Sequence, residues 1–260
     1  MKGPLFYSKI LLFGEYGIIQ DSKGLSIPYN FYNGALKKED HPSQDAIASN
    51  GHLKRFVTYL ESLQTEQPDL VQFDIATLQK DVNEGMYFDS SIPQGYGVGS
   101  SGALVAAIYD KYAQHKITVL ENLTREKLLE LKTIFSQMES FFHGKSSGLD
   151  PLNSYLSIPI LINSKDNIEA TGIPTQSFDG KGAVFLLDSG IVGETAPMVN
   201  IFMENLKDQG FRTMLKSQFV KHTDACVENF LVGDIKALFS NTKKLSKVVL
   251  NHFKPMIPEQ

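Results

Sequence analysis

Residues 93 to 102, Pro93-Gln94-Gly95-Tyr96-Gly97-Val98-Gly99-Ser100-Ser101-Gly102, pack four glycines, two serines and a proline into ten positions. The chain then turns helical. Chemistry available to such a stretch begins with its backbone: glycines lack a Cβ, so successive amides can point inward as a nest for an anion. A helix beginning near Ser101 adds unpaired amides and the positive end of its dipole. Ser100 and Ser101 can cap that helix or place a hydroxyl on a metal bound to phosphates. A dinucleotide fingerprint fits poorly, because the pattern is GxGxxS, Pro93-Gln94 interrupts the approach, and no acid ends a following strand. A P-loop would need a lysine before the final Ser or Thr, and none is present. What stays open is a phosphate cradle of another kind, or a glycine-rich turn with a serine cap.

Two further stretches carry groups that could act with it. Lys9 lies inside the apolar strand Ser8-Lys9-Ile10-Leu11-Leu12-Phe13, and Glu15 follows Gly14 at its end. An edge lysine with its ammonium in solvent and a plain turn acid are the ordinary readings. Residues 138 to 151 place Glu139 on an apolar-striped helix and Asp150 directly before Pro151. Taken singly, Asp150 is a turn residue and His143 a helix C-terminal histidine favoured by the dipole.

These groups need elements to position them. Apolar runs and alternation predict strands over 5–13, 71–78 and 86–93 and an extended stretch over 25–36 broken by Pro28 and the pair Asn33-Gly34, with helical spacing over 53–63 and 101–113. A long amphipathic helix is expected over 125–143, through Leu128, Leu131, Ile134, Phe135, Met138 and Phe142. Extended segments follow at 154–163 and 168–173, a Gly-Lys-Gly turn at 180–182 and a strand at 182–190. Helices at about 196–209, 213–231 and 234–252 complete the chain. Strands mixed with helices, then a strand with several helices, argue for an α+β protein in two lobes, 1–180 and 181–260.

Composition narrows the classes. The 260 residues are 42% hydrophobic and 21% charged, with a net charge of −4 and no Lys/Arg block, which argues against a nucleic-acid partner. Cys226 is the only cysteine, so neither an internal disulfide nor a cysteine-based metal cluster can form. The run Ile10 to Phe13 is too short to span a membrane and no signal-peptide cleavage pattern follows it. The expectation is a soluble cytoplasmic protein with a small-molecule substrate and no membrane partner. A homodimer is left open.

In this order and spacing the three stretches resemble the GHMP small-molecule kinases, and within them the mevalonate kinase branch. The family's opening strand ending in G-E-H is similar to residues 8 to 16, and its P-x-G-x-G-L-G-S-S-A loop to residues 93 to 102. The branch's E…HG-x-P-S-G-x-D segment is similar to Glu139…His143-Gly144-Lys145-Ser146-Ser147-Gly148-Leu149-Asp150.

The resemblance implies an N-terminal lobe like domain 2 of ribosomal protein S5 and a ferredoxin-like C-terminal lobe. It implies transfer of the ATP γ-phosphoryl group to the primary hydroxyl of mevalonate, with Asp150 and Lys9 catalytic. Pro93, Gly95, Gly97, Gly99, Ser100, Ser101 and Gly102 would hold the nucleotide phosphates, and Ser101 and Glu139 would hold Mg²⁺. Glu15 and Thr195 would contact the acceptor. Other GHMP kinases, acting on phosphomevalonate, homoserine or a sugar, remain alternatives, as does a nucleotide-binding fragment without turnover. The three arginines, Arg55, Arg125 and Arg212, lie away from the motifs and disfavour a phosphorylated acceptor. Two departures stand out: Tyr16 occupies the family's histidine position, and the third glycine-rich motif is missing. A completing strand and helix would need about 30 residues, so a C-terminally shortened chain with an incomplete C-terminal lobe is expected.

Overall fold

The computed structural model describes residues 4–118, 123–174, 185–188, 190, 192–193 and 195–257. The chain divides into two compact units, the first made of Met1–Ile10, Ile27–Pro93 and Val98–Ile158, the second of Leu11–Ser26, Gln94–Gly97 and Pro159–Gln260. The division thus falls at Ile158 rather than near residue 180, and two short early segments belong with the later part of the chain.

Two strands run through both units: β1 (Phe6–Phe13) and its neighbour β2 (Gly24–Lys37). In the first unit the distal half of β2 pairs antiparallel with β3 (Tyr87–Ser90), Gly34 opposite Ser90 and Lys37 opposite Tyr87. Gly34 allows this approach, because a Cβ there would lie 2.3 Å from the Phe88 ring. Five helices complete the unit: α1 (Gln44–Glu66), α2 (Ile75–Asn83), α3 (Ser100–Tyr112), α4 (Arg125–His143) and α5 (Leu149–Leu156).

Local chemistry explains where these helices start. Ser43, Asp74 and Thr124 each accept a backbone N–H in the first turn of α1, α2 and α4. Asp74 also explains a departure from expectation. The predicted strand 71–78 stops after Phe73, which makes an isolated bridge to Ala113, because Asp74 accepts Thr77 N–H at 3.0 Å and turns the chain helical. Leu78 and Val82, four apart, then bury the same face of α2. The predicted extended segment 154–163 likewise begins late. Residues 149–156 are α5, opened by left-handed Gly148 (φ 72°) with Pro151 in the first turn, and only 160–164 are a strand.

Helix α3 is the centre of this unit. Ala103, Val105, Ala106, Ala107 and Ile108 are all buried, so it is apolar nearly all round and packs on both α4 and α5. Tyr109, Phe135 and Tyr155 close the core as an edge-to-face triad with centroids 5.0, 5.2 and 5.6 Å apart.

The second unit pairs Gly24–Ser26 of β2 with β4 (Ile160–Ser164), and β4 with β5 (Asn167–Ala170), both antiparallel. Helices α6 (Thr195–Asn205), α7 (Gln209–Met214), α8 (Lys221–Val232) and α9 (Ile235–His252) follow. The helix expected over 196–209 ends early because Asp208 caps α7, accepting Phe211 N–H at 2.7 Å. The helix expected over 213–231 contains a π-helical turn, Leu215–Val220, between α7 and α8. Phe202, Leu215, Phe219, Phe253 and Met256 form the buried core of this unit. Of the strand expected over 182–190, Phe185 to Asp188 have no regular structure, and Phe185 and Leu187 are 80% and 76% exposed. The Gly-Lys-Gly turn and residues 182–184 and 189 lie outside the described residues. Among the described residues no helix is long and apolar enough to cross a membrane.

The α4–α5 turn supplies the first test. A Cβ on Gly148 would lie 2.1 Å from the Lys132 carbonyl oxygen and 2.7 Å from the Ser136 nitrogen, at φ 72°. Gly144, at φ 70°, has nothing within 4 Å of that position. Gly148→Ala should therefore cost about 3 kcal/mol of stability and Gly144→Ala about 1 kcal/mol, read from urea unfolding midpoints. Equal losses at the two positions would refute the steric account.

Candidate active site

Lys9 does not reach solvent in the manner of an edge lysine. It is 8% exposed, and its Nζ lies 3.0 Å from Asp150 Oδ1. Its backbone N–H donates to the Val98 carbonyl at 3.0 Å, which docks the end of the glycine-rich stretch on β1. The Ser154 hydroxyl donates to the Tyr7 carbonyl at 2.8 Å and docks α5 on the same strand. The second contact holds the segments that carry Lys9 and Asp150 together, and the first sets the glycine-rich stretch on the same strand.

Glycines make room for this pair. A Cβ on Gly102 would sit 2.7 Å from the Asp150 carbonyl carbon and 3.0 Å from its Cβ. Gly102, expected at the nucleotide phosphates, thus spends its small size on the approach of α5 to the start of α3. Gly99 has φ 83°, and a Cβ there would lie 3.0 Å from Lys9 Cγ. Gly95 and Gly97 share the left-handed conformation at φ 78° and 69°.

Glu139 projects from α4 and is 4% exposed. Its Oε1 accepts the Ser101 hydroxyl at 2.9 Å, and its Oε2 accepts the Ser146 hydroxyl. Burial, reinforced by the Asp150 carboxylate, pushes the Glu139 carboxyl up to about 7, against the two hydroxyls and Lys9, which favour the anion. Ser146 also accepts Gly148 N–H at 3.0 Å, linking Glu139 to the turn that presents Asp150. Ser101 Oγ is 3.0 Å from His143 Nε2 as well.

The helix starts beside these groups differ from the others in the unit. Helices α3 and α5 begin after left-handed Gly99 and Gly148 and have no side-chain cap. Ser101, read from sequence as a cap or a metal ligand, gives its proton to Glu139 and caps nothing. The first-turn amides of α3 therefore keep their capacity for an anion. The cation chemistry is that of hard oxygen donors, a carboxylate and a hydroxyl. Among the described residues no group of three or more His, Cys, Asp or Glu could hold a metal ion. Such a donor pair fits Mg²⁺, which completes its shell with phosphate oxygens and water.

Within the first unit, then, Lys9, Gly99, Ser101, Gly102, Glu139 and Asp150 converge. Pro93 ends a segment of the same unit and Ser100 opens α3. Gly95, Gly97, Glu15 and Thr195 belong to the second unit. There Gly95 receives Val192, whose Cγ1 would lie 2.3 Å from an added Cβ, and its carbonyl accepts Gly193 N–H at 3.0 Å. Thr195 opens α6, and Glu15 is exposed in the turn after β1. Tyr16, at φ 59°, packs its ring 5.2 Å from Phe202 and 5.9 Å from Phe253, and its hydroxyl donates to the Met256 carbonyl at 3.4 Å. The residue at the family's histidine position thus anchors the core of the second unit. Sequence reasoning missed the contacts of Ser146 and His143. The four-residue spacing of Glu139 and His143 on one helix was the available signal for the latter.

Residues 63–157 match the family described as the GHMP kinases N terminal domain. This segment is similar to the GHMP kinase N-terminal domain. Solved structures extend the likeness over nearly the whole chain. The mevalonate kinase of Methanococcus jannaschii has a TM-score of 0.52 and 14% identity, covering 95% of this chain and 80% of that one. A second mevalonate kinase gives 0.51 and 14%, covering 94% and 79%. The Lin0012 protein from Listeria innocua gives 0.55 and 14%, covering 97% and 78%. The antiparallel sheet and helices thus have the GHMP kinase fold. No curated protein sequence matches the chain.

The state of Glu139 has a measurable consequence. Its folded pKa of about 7 lies above the ordinary value of 4.5, so the fold binds this proton more tightly than the unfolded chain. Its contribution to stability is fully present below about 4.5 and is lost as pH rises through about 7. Melting temperatures of wild type and Glu139→Gln, compared from about pH 5 to about pH 8, should diverge in the variant's favour as pH rises. A constant gap would refute the assignment.

Proposed function

We propose that this protein is an ATP-dependent kinase that phosphorylates the primary hydroxyl of mevalonate to give 5-phosphomevalonate. The observation that carries the reading is the Lys9–Asp150 ion pair, Nζ to Oδ1 3.0 Å, set against the uncapped start of α3. Phosphoryl transfer has a loose transition state, so a protein accelerates it by positioning the reactants and stabilising spread charge. In this proposal the amides of Gly99, Ser100 and Ser101 hold phosphate oxygens, and those of Gly95 and Gly97 continue the same loop after Pro93. Gly102 supports the loop by admitting Asp150.

Asp150 accepts a hydrogen bond from the acceptor hydroxyl and orients its oxygen. A carboxylate is a far weaker base than an alkoxide, so the proton passes to Asp150 only late, as the new P–O bond forms and the bond from the γ-phosphorus to the ADP oxygen breaks. The Lys9 ammonium assists by stabilising negative charge on the acceptor oxygen and the transferring group. Ser101 and Glu139 would hold Mg²⁺, which when bound screens the phosphate charge. Glu15 and Thr195 are proposed as acceptor contacts. The likeness to mevalonate kinases supports this acceptor.

Asp150→Asn and Lys9→Met should each lower kcat by about 100-fold or more. Calorimetric MgATP binding should be largely kept. Turnover is read as ADP release with mevalonate, alongside phosphomevalonate, homoserine and galactose. Near-normal turnover in either variant would remove these residues from the mechanism, and preference for another acceptor would replace the substrate.

A further inference from the structure

The Ser101 hydroxyl has one proton and two lone pairs to distribute. Its proton points at Glu139 Oε1, which accepts it across 2.9 Å, while Oε2 is engaged by the Ser146 hydroxyl. His143 Nε2 stands 3.0 Å from the same oxygen. With the hydroxyl proton committed, this second contact is a hydrogen bond only if Nε2 carries a proton and Ser101 Oγ receives it. One lone pair is then taken and one is left. The hydroxyl can no longer rotate without breaking a bond.

The placement of His143 follows from its helix. It is the last residue of α4, four positions after Glu139, so both side chains leave the same face, one turn apart. Gly144, at φ 70°, ends the helix immediately afterwards. His143 is itself exposed. An exposed side chain at a helix end contributes little packing, so its replacement should hardly change stability. Among the described residues its one close polar contact points at a group already placed in the site.

We propose that His143 is a positioning residue: its Nε2–H holds the Ser101 hydroxyl so that the hydroxyl proton stays directed at Glu139 and one lone pair faces an incoming cation. The inference rests on the reading of Ser101 and Glu139 as holders of a metal–nucleotide complex. His143 acts through Ser101 and touches no reacting atom.

Two measurements test it. In the free protein, ¹⁵N-edited NMR should detect the His143 Nε2 proton as a slowly exchanging signal, and Ser101→Ala should abolish it. Calorimetry should find MgATP binding about tenfold weaker in His143→Phe. It should be restored to within about threefold in His143→Gln, whose amide can donate from a similar position. Melting temperatures of both histidine variants should stay within a few degrees of wild type. An Nε2 signal indifferent to Ser101→Ala, or wild-type MgATP affinity in His143→Phe, overturns the inference alone. A wild type that binds no MgATP overturns the kinase reading and this role together.

Discussion

A buried ammonium group without a counter-charge is costly, and the first unit is organised around avoiding that cost at Lys9. Its partner is Asp150, 141 positions along the numbering, so the chain must bring the start of α5 back to β1. That return needs two backbone approaches. Gly102 lets Asp150 lie against the first turn of α3, and Gly148 lets the α4–α5 turn lie against α4. Both would be blocked by a single methyl group. The glycines of this region are therefore not all one device: some leave amides free, and others let two helices meet.

Glu139 adds a second constraint. It is more buried than Asp150, and its carboxyl is held by a hydroxyl on each oxygen. Hydroxyl donors and Lys9 favour its anion, while burial and Asp150 oppose it. The balance leaves one carboxyl near neutrality beside an ion pair. A site of this kind gains from a positive charge brought by a ligand, because the arriving charge relieves both the burial penalty and the repulsion between the two carboxylates.

How much of this was legible in the residues differs by element. Helix α4 reads from sequence to its true bounds, because its apolar stripe is long and Thr124 and Gly144 punctuate its ends. β1 reads nearly as well, whereas β2 runs unbroken from Gly24 to Lys37 through Pro28 and Asn33-Gly34, where the sequence predicts a break. The segments 71–78 and 154–163 were misread as extended because short apolar runs do not distinguish strand from helix, and one cap, Asp74, or one turn, Gly148 to Pro151, decides between them. Lys9 and Asp150 singly look ordinary. Only the resemblance joined them before the structure showed them 3.0 Å apart.

The sequence by itself determined the helices with strong periodicity, the glycine-rich stretch ahead of α3, and the chemical inventory of ammonium, carboxylates and hydroxyls. These depend on neighbours a few residues apart. Tertiary structure alone decided which groups meet. It buried Lys9, set the Ser101 hydroxyl as a donor to Glu139, brought His143 to Ser101, and packed Tyr16 against the core of the second unit. The physical reason is that a hydrogen bond or ion pair is settled within about 3 Å, and residues 38 to 141 positions apart reach that distance only through the packing of whole elements.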